Sequence, residues 1–337
     1  MIKKKSRTTS FNVAELAGVS RSTVSRTFTP NANACVSSET RKKVIVAADK
    51  LGYRPNVMAR SLVTQKTQLI GLIIADWHNP FYASTLNSYS EKLQKENYQT
   101  ILATINKNSD INASIEFLLQ YQVDGIIMLS ALPSRAIVTA CNKKNTPLVL
   151  VGSSAKRISV CNVSIDHNAI GESLANFALD LGYRRFVLIR GDKKFKAGVQ
   201  RTKAFSKVLE KEHKGEIVAD LTGLLGHDEG RNAMADIVKI KPELVICSSD
   251  LTALGIMDGA RVDYNLEIPK DIAVIGFGDT PMSSWGMNRL TTVQLPREDL
   301  IDESIDCLLK RIYDPQLPPK STDLQAVIVP RDTTRQI

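Results

Sequence analysis

Two rhythms of apolar and polar positions divide this chain. In residues 12–51 the small apolar residues Ala14, Val19 and Val24 sit among polar ones. Val44, Ala47, Ala48 and Leu51 then recur at i, i+3, i+4 and i+7, the spacing of one helical face. From Leu69 onward the apolar positions gather into short unbroken runs: 69–74, 100–104, 125–129, 148–151, 186–189, 217–219, 244–247 and 272–276. Runs this short and this apolar predict strands buried on both faces, as in a parallel sheet. Helical stretches separate them, among them 81–96, 113–121 and 171–181, so the order is strand, helix, strand, and it restarts near residue 166. The pattern predicts two doubly wound α/β lobes with a cleft between them.

The first segment reads as three short helices. Asn12 is placed to cap the first, with Glu15 three positions on to reach back, and Gly18 stops it. Ser20 caps a second helix, 21–28, after a tight glycine-containing turn, which makes a helix-turn-helix. A third helix follows Ser37 and ends at Gly52. The start of the second helix is the part of such a unit that enters a major groove. Arg21 and Ser22 lie there, and Arg26 is about one turn on; an arginine can hold guanine O6 and N7 as a pair. Pro55 suits the first turn of a further short helix through Leu62, too short to persist without a partner. Its Ala59 and Leu62 are of the types that enter a minor groove and wedge between base steps.

Charge sharpens this reading. The chain has 337 residues and a net charge of +9. Residues 1–66 hold 13 Lys+Arg against three Asp+Glu, a local +10 that leaves −1 for everything after. A basic head on a near-neutral body points to a polyanion, with nucleic acid foremost. The N-terminus is basic without a following apolar run, and no stretch is long enough to span a bilayer, so neither a signal peptide nor membrane insertion is expected. The five cysteines are odd in number, scattered and free of CxxC spacing, which fits a reduced cytoplasm.

In an open α/β sheet ligands bind beyond the carboxyl ends of the strands. That makes residues 76–82, 248–250 and 278–279 candidates, with Asp166 where one lobe hands over to the next. No strand loop carries GxGxxG or a Walker motif, and the four histidines lack metal spacing. No nucleophile–base pair follows from spacing either. A cofactor-dependent or hydrolytic enzyme is therefore poorly supported, and no cofactor or metal is expected. A transporter's solute-binding protein would share the body but has no use for the head.

The runs Val13-Ala14-Glu15-Leu16-Ala17-Gly18-Val19-Ser20-Arg21-Ser22-Thr23-Val24-Ser25-Arg26 and Gly52-Tyr53-Arg54-Pro55-Asn56, with Ala59-Arg60-Ser61-Leu62, resemble the head of the lactose-repressor (LacI/GalR) family. Asn79-Pro80-Phe81-Tyr82, Ser249-Asp250 and the run from Ile268 to Phe277 resemble parts of its body, so the likeness covers essentially the whole chain. It implies a small all-α helix-turn-helix head plus hinge helix, followed by an α/β two-lobed periplasmic-binding-protein-like body with parallel doubly wound sheets. It implies that Arg21, Ser22 and Arg26 face bases, that Tyr53 and Asn56 lie near the DNA backbone, and that Leu62 is a hinge wedge beside Ala59. Thr23, Ser25, Arg54 and Arg60 complete the set expected on DNA. In the body, Asp76, Asn79, Phe81, Tyr82, Asp166, Arg201, Ser249 and Asp250 are the expected effector residues. For the two aromatics core packing is a competing reading, and for Arg201 a salt bridge competes.

Three departures stand out: the link 27–35 is longer than usual, Ser249 precedes Asp250 where many members have Asn, and Gly278 replaces a common Asp. Losing a carboxylate at 278 disfavours a neutral sugar held in the usual way, and Lys193, Lys194 and Lys196 precede Arg201. An anionic sugar derivative is one expectation, a merely solvated basic loop the other. The expected domains are 1–54 for the head, 55–66 for the hinge and 67–337 for the body, with lobes 67–165 plus 295–322 and 166–294 plus 323–337. No leucine heptad follows residue 329, so the expected assembly is a homodimer on double-stranded, palindromic operator DNA. The whole reads as a cytoplasmic transcriptional repressor controlled by a small-molecule effector, with induction and co-repression both open.

Overall fold

The computed structural model describes residues 8–28, 36–56, 61, 66–74, 79–105, 110–129, 133–152, 160–191, 196–224 and 226–336. The chain divides into two compact units, 1–67 and 68–337.

In the first unit, α1 (Ser10–Ala17), α2 (Arg21–Thr27) and α3 (Ser38–Lys50) close around Val13, Ala14, Val24, Val44, Ala47 and Ala48. Helix α1 begins earlier than its sequence suggests. Thr9 is the cap, and its N–H and hydroxyl both donate to Asn12 Oδ1, at 3.0 and 2.8 Å. Asn12 thus sits inside the first turn, reaching back as Glu15 was expected to do, because an amide oxygen serves that position as well as a carboxylate. The other boundaries fall where the sequence puts them. Gly18 ends α1 in the left-handed region at φ +65°, while Ser20 and Ser37 accept the Thr23 and Thr40 N–H groups. Arg41 fastens α3 to the end of α2 by donating to the Thr27 carbonyl at 2.9 Å. Residues 29–35 of the link, and Ala59, Arg60 and Leu62 of the expected hinge helix, lie outside the described residues.

The second unit holds two six-stranded sheets. The first comprises β1 (Leu69–Ile74), β2 (Gln99–Thr104), β3 (Gly125–Leu129), β4 (Leu148–Val151), β5 (Cys161–Ile165) and β11 (Ser321–Leu324), in the order β11-β5-β4-β3-β1-β2. The second comprises β6 (Arg185–Arg190), β7 (Glu216–Thr222), β8 (Leu244–Ile246), β9 (Ala273–Gly278), β10 (Thr291–Gln294) and β12 (Val327–Val329), in the order β12-β10-β9-β8-β6-β7. Every pairing is parallel except β10 with β12.

Both orders reverse next to their first strand, and such switch points open a crevice at the strands' carboxyl ends. Helices cover both faces of each sheet, which is why β3, β4 and β5 are buried from end to end. On the first sheet, α4 (Pro80–Lys95) and α11 (Arg297–Tyr313) share one face, joined by a buried 2.7 Å hydrogen bond between Tyr89 and Ser304; α5 (Ile111–Gln120) and α6 (Arg135–Lys143) cover the other. On the second, α7 (His167–Asp180) and α8 (Lys196–Glu212) oppose α9 (His227–Ile240) and α10 (Asp250–Asp258).

The chain passes between the sheets after Ile165, between Gln294 and Arg297, and between Leu324 and Val327. The last crossing falls slightly beyond the expected 322/323. Asp323 and Leu324 still pair with β5, and the Asp166 N–H donates to the Leu324 carbonyl at 2.9 Å.

Helices α7 and α8 approach closely at Gly171, where an added Cβ would lie 2.6 Å from the Arg201 carbonyl oxygen and 2.9 Å from Ala204 Cβ. Backbone cannot yield as a side chain can. Gly171→Ala is expected to destabilise the body by about 1–3 kcal/mol, read from urea unfolding, because α8 must move outward and take Arg201 with it.

Candidate DNA-binding and effector sites

On the head, Arg21, Ser22, Ser25 and Arg26 are exposed along one side of α2, and Thr23 is half-buried. Ser20 Oγ lies 2.7 Å from Ser22 Oγ and 2.9 Å from Thr23 Oγ1, so the cap and two expected contact residues form one cluster. Tyr53 is anchored at the edge of the core, its ring centroid 6.0 Å from that of Phe28. Arg54 meets Asp49 at 3.3 Å in an exposed pair, too loosely held and too solvated to count for much, and Asn56 is exposed. The arrangement is a small rigid support presenting two arginines and several hydroxyls from a helix start.

In the body the expected effector residues separate into distinct roles. Asp76 lies outside the described residues. Asn79 caps α4 by accepting the Phe81 N–H at 3.0 Å, which leaves Phe81 and Tyr82 edge to face with centroids 5.5 Å apart. Tyr82 packs against the core of the first sheet, whereas Phe81 lines a cleft of about 310 Å³. That cleft draws Phe81 and Ser84 from α4, residues 278–280 from the loop after β9, and residues 294–299 from the crossing into α11. Asp166 caps α7, its Oδ1 accepting from Asn168 and Ala169 at 3.0 Å each. Ser249 caps α10 in the same way.

Asp250, expected to grip the effector or shape its pocket, is 1% exposed. Its Oδ2 accepts the Thr280 N–H at 2.6 Å and its Oδ1 accepts the Thr292 hydroxyl. Burial raises its pKa, against the pull of those hydrogen bonds. It shapes the wall from behind.

Arg201 is placed differently. Its guanidinium lies 3.9 Å over the ring of Phe277 and 3.5 Å from His167 Nδ1. Among the described residues no carboxylate is paired with it. Burial pulls its pKa down to about 10, which keeps it charged near neutrality. Arg190 nearby is neutralised, holding Asp220 through two bonds of 2.6 Å. Burial, helped by the charge of Arg201 and opposed by Asp166, pushes His167 down to about 3.

Several residues in or bonded to the cleft wall escaped the sequence reading. Arg331 meets Asp279 at 2.7 Å, both largely buried, while Ser283 and Gln294 donate to the same carboxylate. Arg297 donates to Ser84 across the crossing at 3.0 Å. Arg331 lies 52 positions from Asp279 and sits in no motif. Only the burial of a C-terminal arginine gives it away.

A profile for bacterial regulatory proteins of the lacI family matches residues 11–56, and one for a periplasmic binding protein-like domain matches residues 175–334. Catabolite control protein A of Staphylococcus epidermidis is 30% identical over 329 residues, covering 97% of this chain and 99% of that protein. The chain belongs to the LacI family. It is accordingly a DNA-binding transcriptional regulator rather than an enzyme. Catabolite control protein A of Priestia megaterium is 31% identical over 87% of this chain and 89% of its own length. Among solved structures, the lac repressor dimer bound to operator and the anti-inducer ONPF shares the fold, with a TM-score of 0.85 at 24% identity and coverage of 97% and 99%. The complex of the transcriptional regulator CelR with cellobiose has a TM-score of 0.70 at 26% identity, covering 97% of this chain and all of that one. No helix of the described residues is long and apolar enough to cross a membrane.

The position of His167 has a consequence in acid. Its folded-state pKa lies below its unfolded value, so between about pH 6.5 and 3 only the unfolded chain takes up the proton. Stability therefore falls as pH drops through that window. Denaturation midpoints measured from pH 7 to 4 should decline less steeply for His167→Gln than for the parent protein; parallel slopes would show that His167 titrates normally.

Proposed function

We propose that this regulator is a repressor of sugar or sugar-acid utilisation genes whose operator affinity is set by a small molecule in the cleft between the lobes. The observation that carries the reading is a basic helix-turn-helix, exposing Arg21, Ser22, Ser25 and Arg26, joined to a twin-sheet body that holds, in a small cavity at the carboxyl ends of its strands, an arginine paired with no described acid. In this reading Arg21, Ser22 and Arg26 meet base edges, with Thr23, Ser25, Tyr53, Arg54, Asn56 and Arg60 at the sugar–phosphate backbone. Leu62 and Ala59 enter the minor groove. One helix-turn-helix spans few base pairs, so two chains act together on a palindrome. The effector favours one degree of lobe closure, and the population shift passes through residues 55–66 to the head. The cited relatives, named for catabolite control, and the structural relative solved with cellobiose support a carbohydrate-related signal.

Binding to duplex DNA tests this. With several phosphates contacted, affinity should fall by orders of magnitude between about 50 and 200 mM salt. Arg21→Ala should cost about 1–3 kcal/mol on the operator and relax preference at one base pair. A flat salt response, or equal losses on operator and random DNA, would count against the assignment.

A further inference from the structure

A small cavity at the strand ends of the second sheet contains a cation without a described counter-charge, and its surroundings say what should answer it. This inference rests on the sensor reading above and names the chemistry of the ligand. Arg201 lines a cavity of about 30 Å³ at the carboxyl ends of β6 and β8, with Ser248, Gly171 and Phe277 also in its wall. Ser248 Oγ is buried without a hydrogen-bond partner. His167, 7% exposed, touches Arg201 through Nδ1, and its Nε2 is likewise buried and unpartnered. An arginine has no acceptor, so it must donate to Nδ1; that fixes Nε2 as the N–H of a neutral ring. The guanidinium and the Nε2–H are therefore donors only, and the Ser248 hydroxyl can donate as well as accept.

The nearby acids are already committed. Asp250 is satisfied by Thr280 and Thr292, Asp220 by Arg190, and Asp279 by Arg331. Asp166 is engaged through Oδ1 with the first turn of α7, and its charge is also felt by His167. A buried donor left unmade is costly, and an unanswered buried charge more so. Size narrows the choice. A cavity of about 30 Å³ takes about two water-sized groups, enough for the two oxygens of a carboxylate and too little for a sugar ring. Phe277 lines this cavity, while the next two residues of the chain, Gly278 and Asp279, line the 310 Å³ cleft. The two spaces flank the end of β9.

We propose that Arg201, Ser248 and His167 form an oxyanion subsite that receives the carboxylate of a polyhydroxylated acid, with the hydroxylated remainder in the larger cleft. Charge-assisted bonds to a planar guanidinium give this arrangement both strength and direction.

The test is the melting temperature of the full chain at matched ionic strength with D-glucose, D-gluconate, D-glucuronate and glucose 6-phosphate, since a ligand bound only by the folded state raises it. A carboxylic acid should raise it by several degrees where glucose does not. Arg201→Met should abolish that rise and Arg201→Lys should restore part of it. Ser248→Ala and His167→Gln should each weaken binding about tenfold, in line with loss of one hydrogen bond to a charged group. Parent-like melting of each variant without ligand serves as the check on folding. Stabilisation by glucose alone, undiminished in Arg201→Met, would overturn the inference and leave the sensor reading standing. Stabilisation by the phosphate alone would overturn the assignment to a carboxylate. Silence from every acid would overturn it too, while the sensor reading is judged separately, by whether any compound changes operator affinity.

Discussion

One buried carboxylate holds the strand-end side of the second lobe together. Asp250 opens α10 and is bonded to the loop after β9 through the Thr280 N–H and to β10 through Thr292. Three segments distant in sequence are fixed by one side chain, and loss of any partner would leave a charge stranded in the interior. The constraint reaches into the sequence. A Cβ at position 276 would collide with Asp250 Oδ1, and Gly278 sits at φ +136° with Asp250 beside it. The glycines flanking Phe277 are therefore the complement of Asp250, and Phe277 between them forms the floor beneath Arg201. Asp279, at φ +50°, is turned toward Arg331, Ser283 and Gln294.

This wall gives the cleft its electrostatic character. Asp250 and Asp279 are bonded to other groups of the protein, and Arg201 faces a small cavity with no described carboxylate paired to it. The head has the same bias on a larger scale, with +10 in 66 residues and no comparable acid supply. Both parts present positive charge, the head over a broad exposed surface and Arg201 at a single buried point. Their physics differs. The head works in solvent and is screened by salt, whereas Arg201 works in a withdrawn site where screening is weak.

Much of the fold was legible because its signals are local. Unbroken apolar runs such as 69–74 and 125–129 are buried on both faces, and Gly18, Ser20 and Ser37 punctuate the head as their chemistry demands. The start of α1 was misplaced because Thr9 and Asn12 exchange roles that look alike in sequence. The candidate site was legible by address and less so by function. Asp250, Asp166 and Ser249 lie at the strand ends where ligands bind, yet Asp250 is bonded inward and the other two cap helices. Which way a side chain turns depends on partners 30 or 42 positions away, as Thr280 and Thr292 are from Asp250. The glycine at 278 looked like the loss of a ligand carboxylate. Its backbone angle and its nearness to Asp250 supply a structural reason for it.

A regulator built this way requires the cleft and the head to be thermodynamically linked. Operator affinity, measured by fluorescence anisotropy at fixed salt with and without a saturating cleft ligand, reads that linkage directly. Coupling between two such sites is typically about 5–150-fold. The account predicts a change of that size in the parent protein and none in Arg201→Met, with the ligand's own affinity altered by the same factor when operator is bound. An operator affinity indifferent to a ligand shown to occupy the cleft would contradict it.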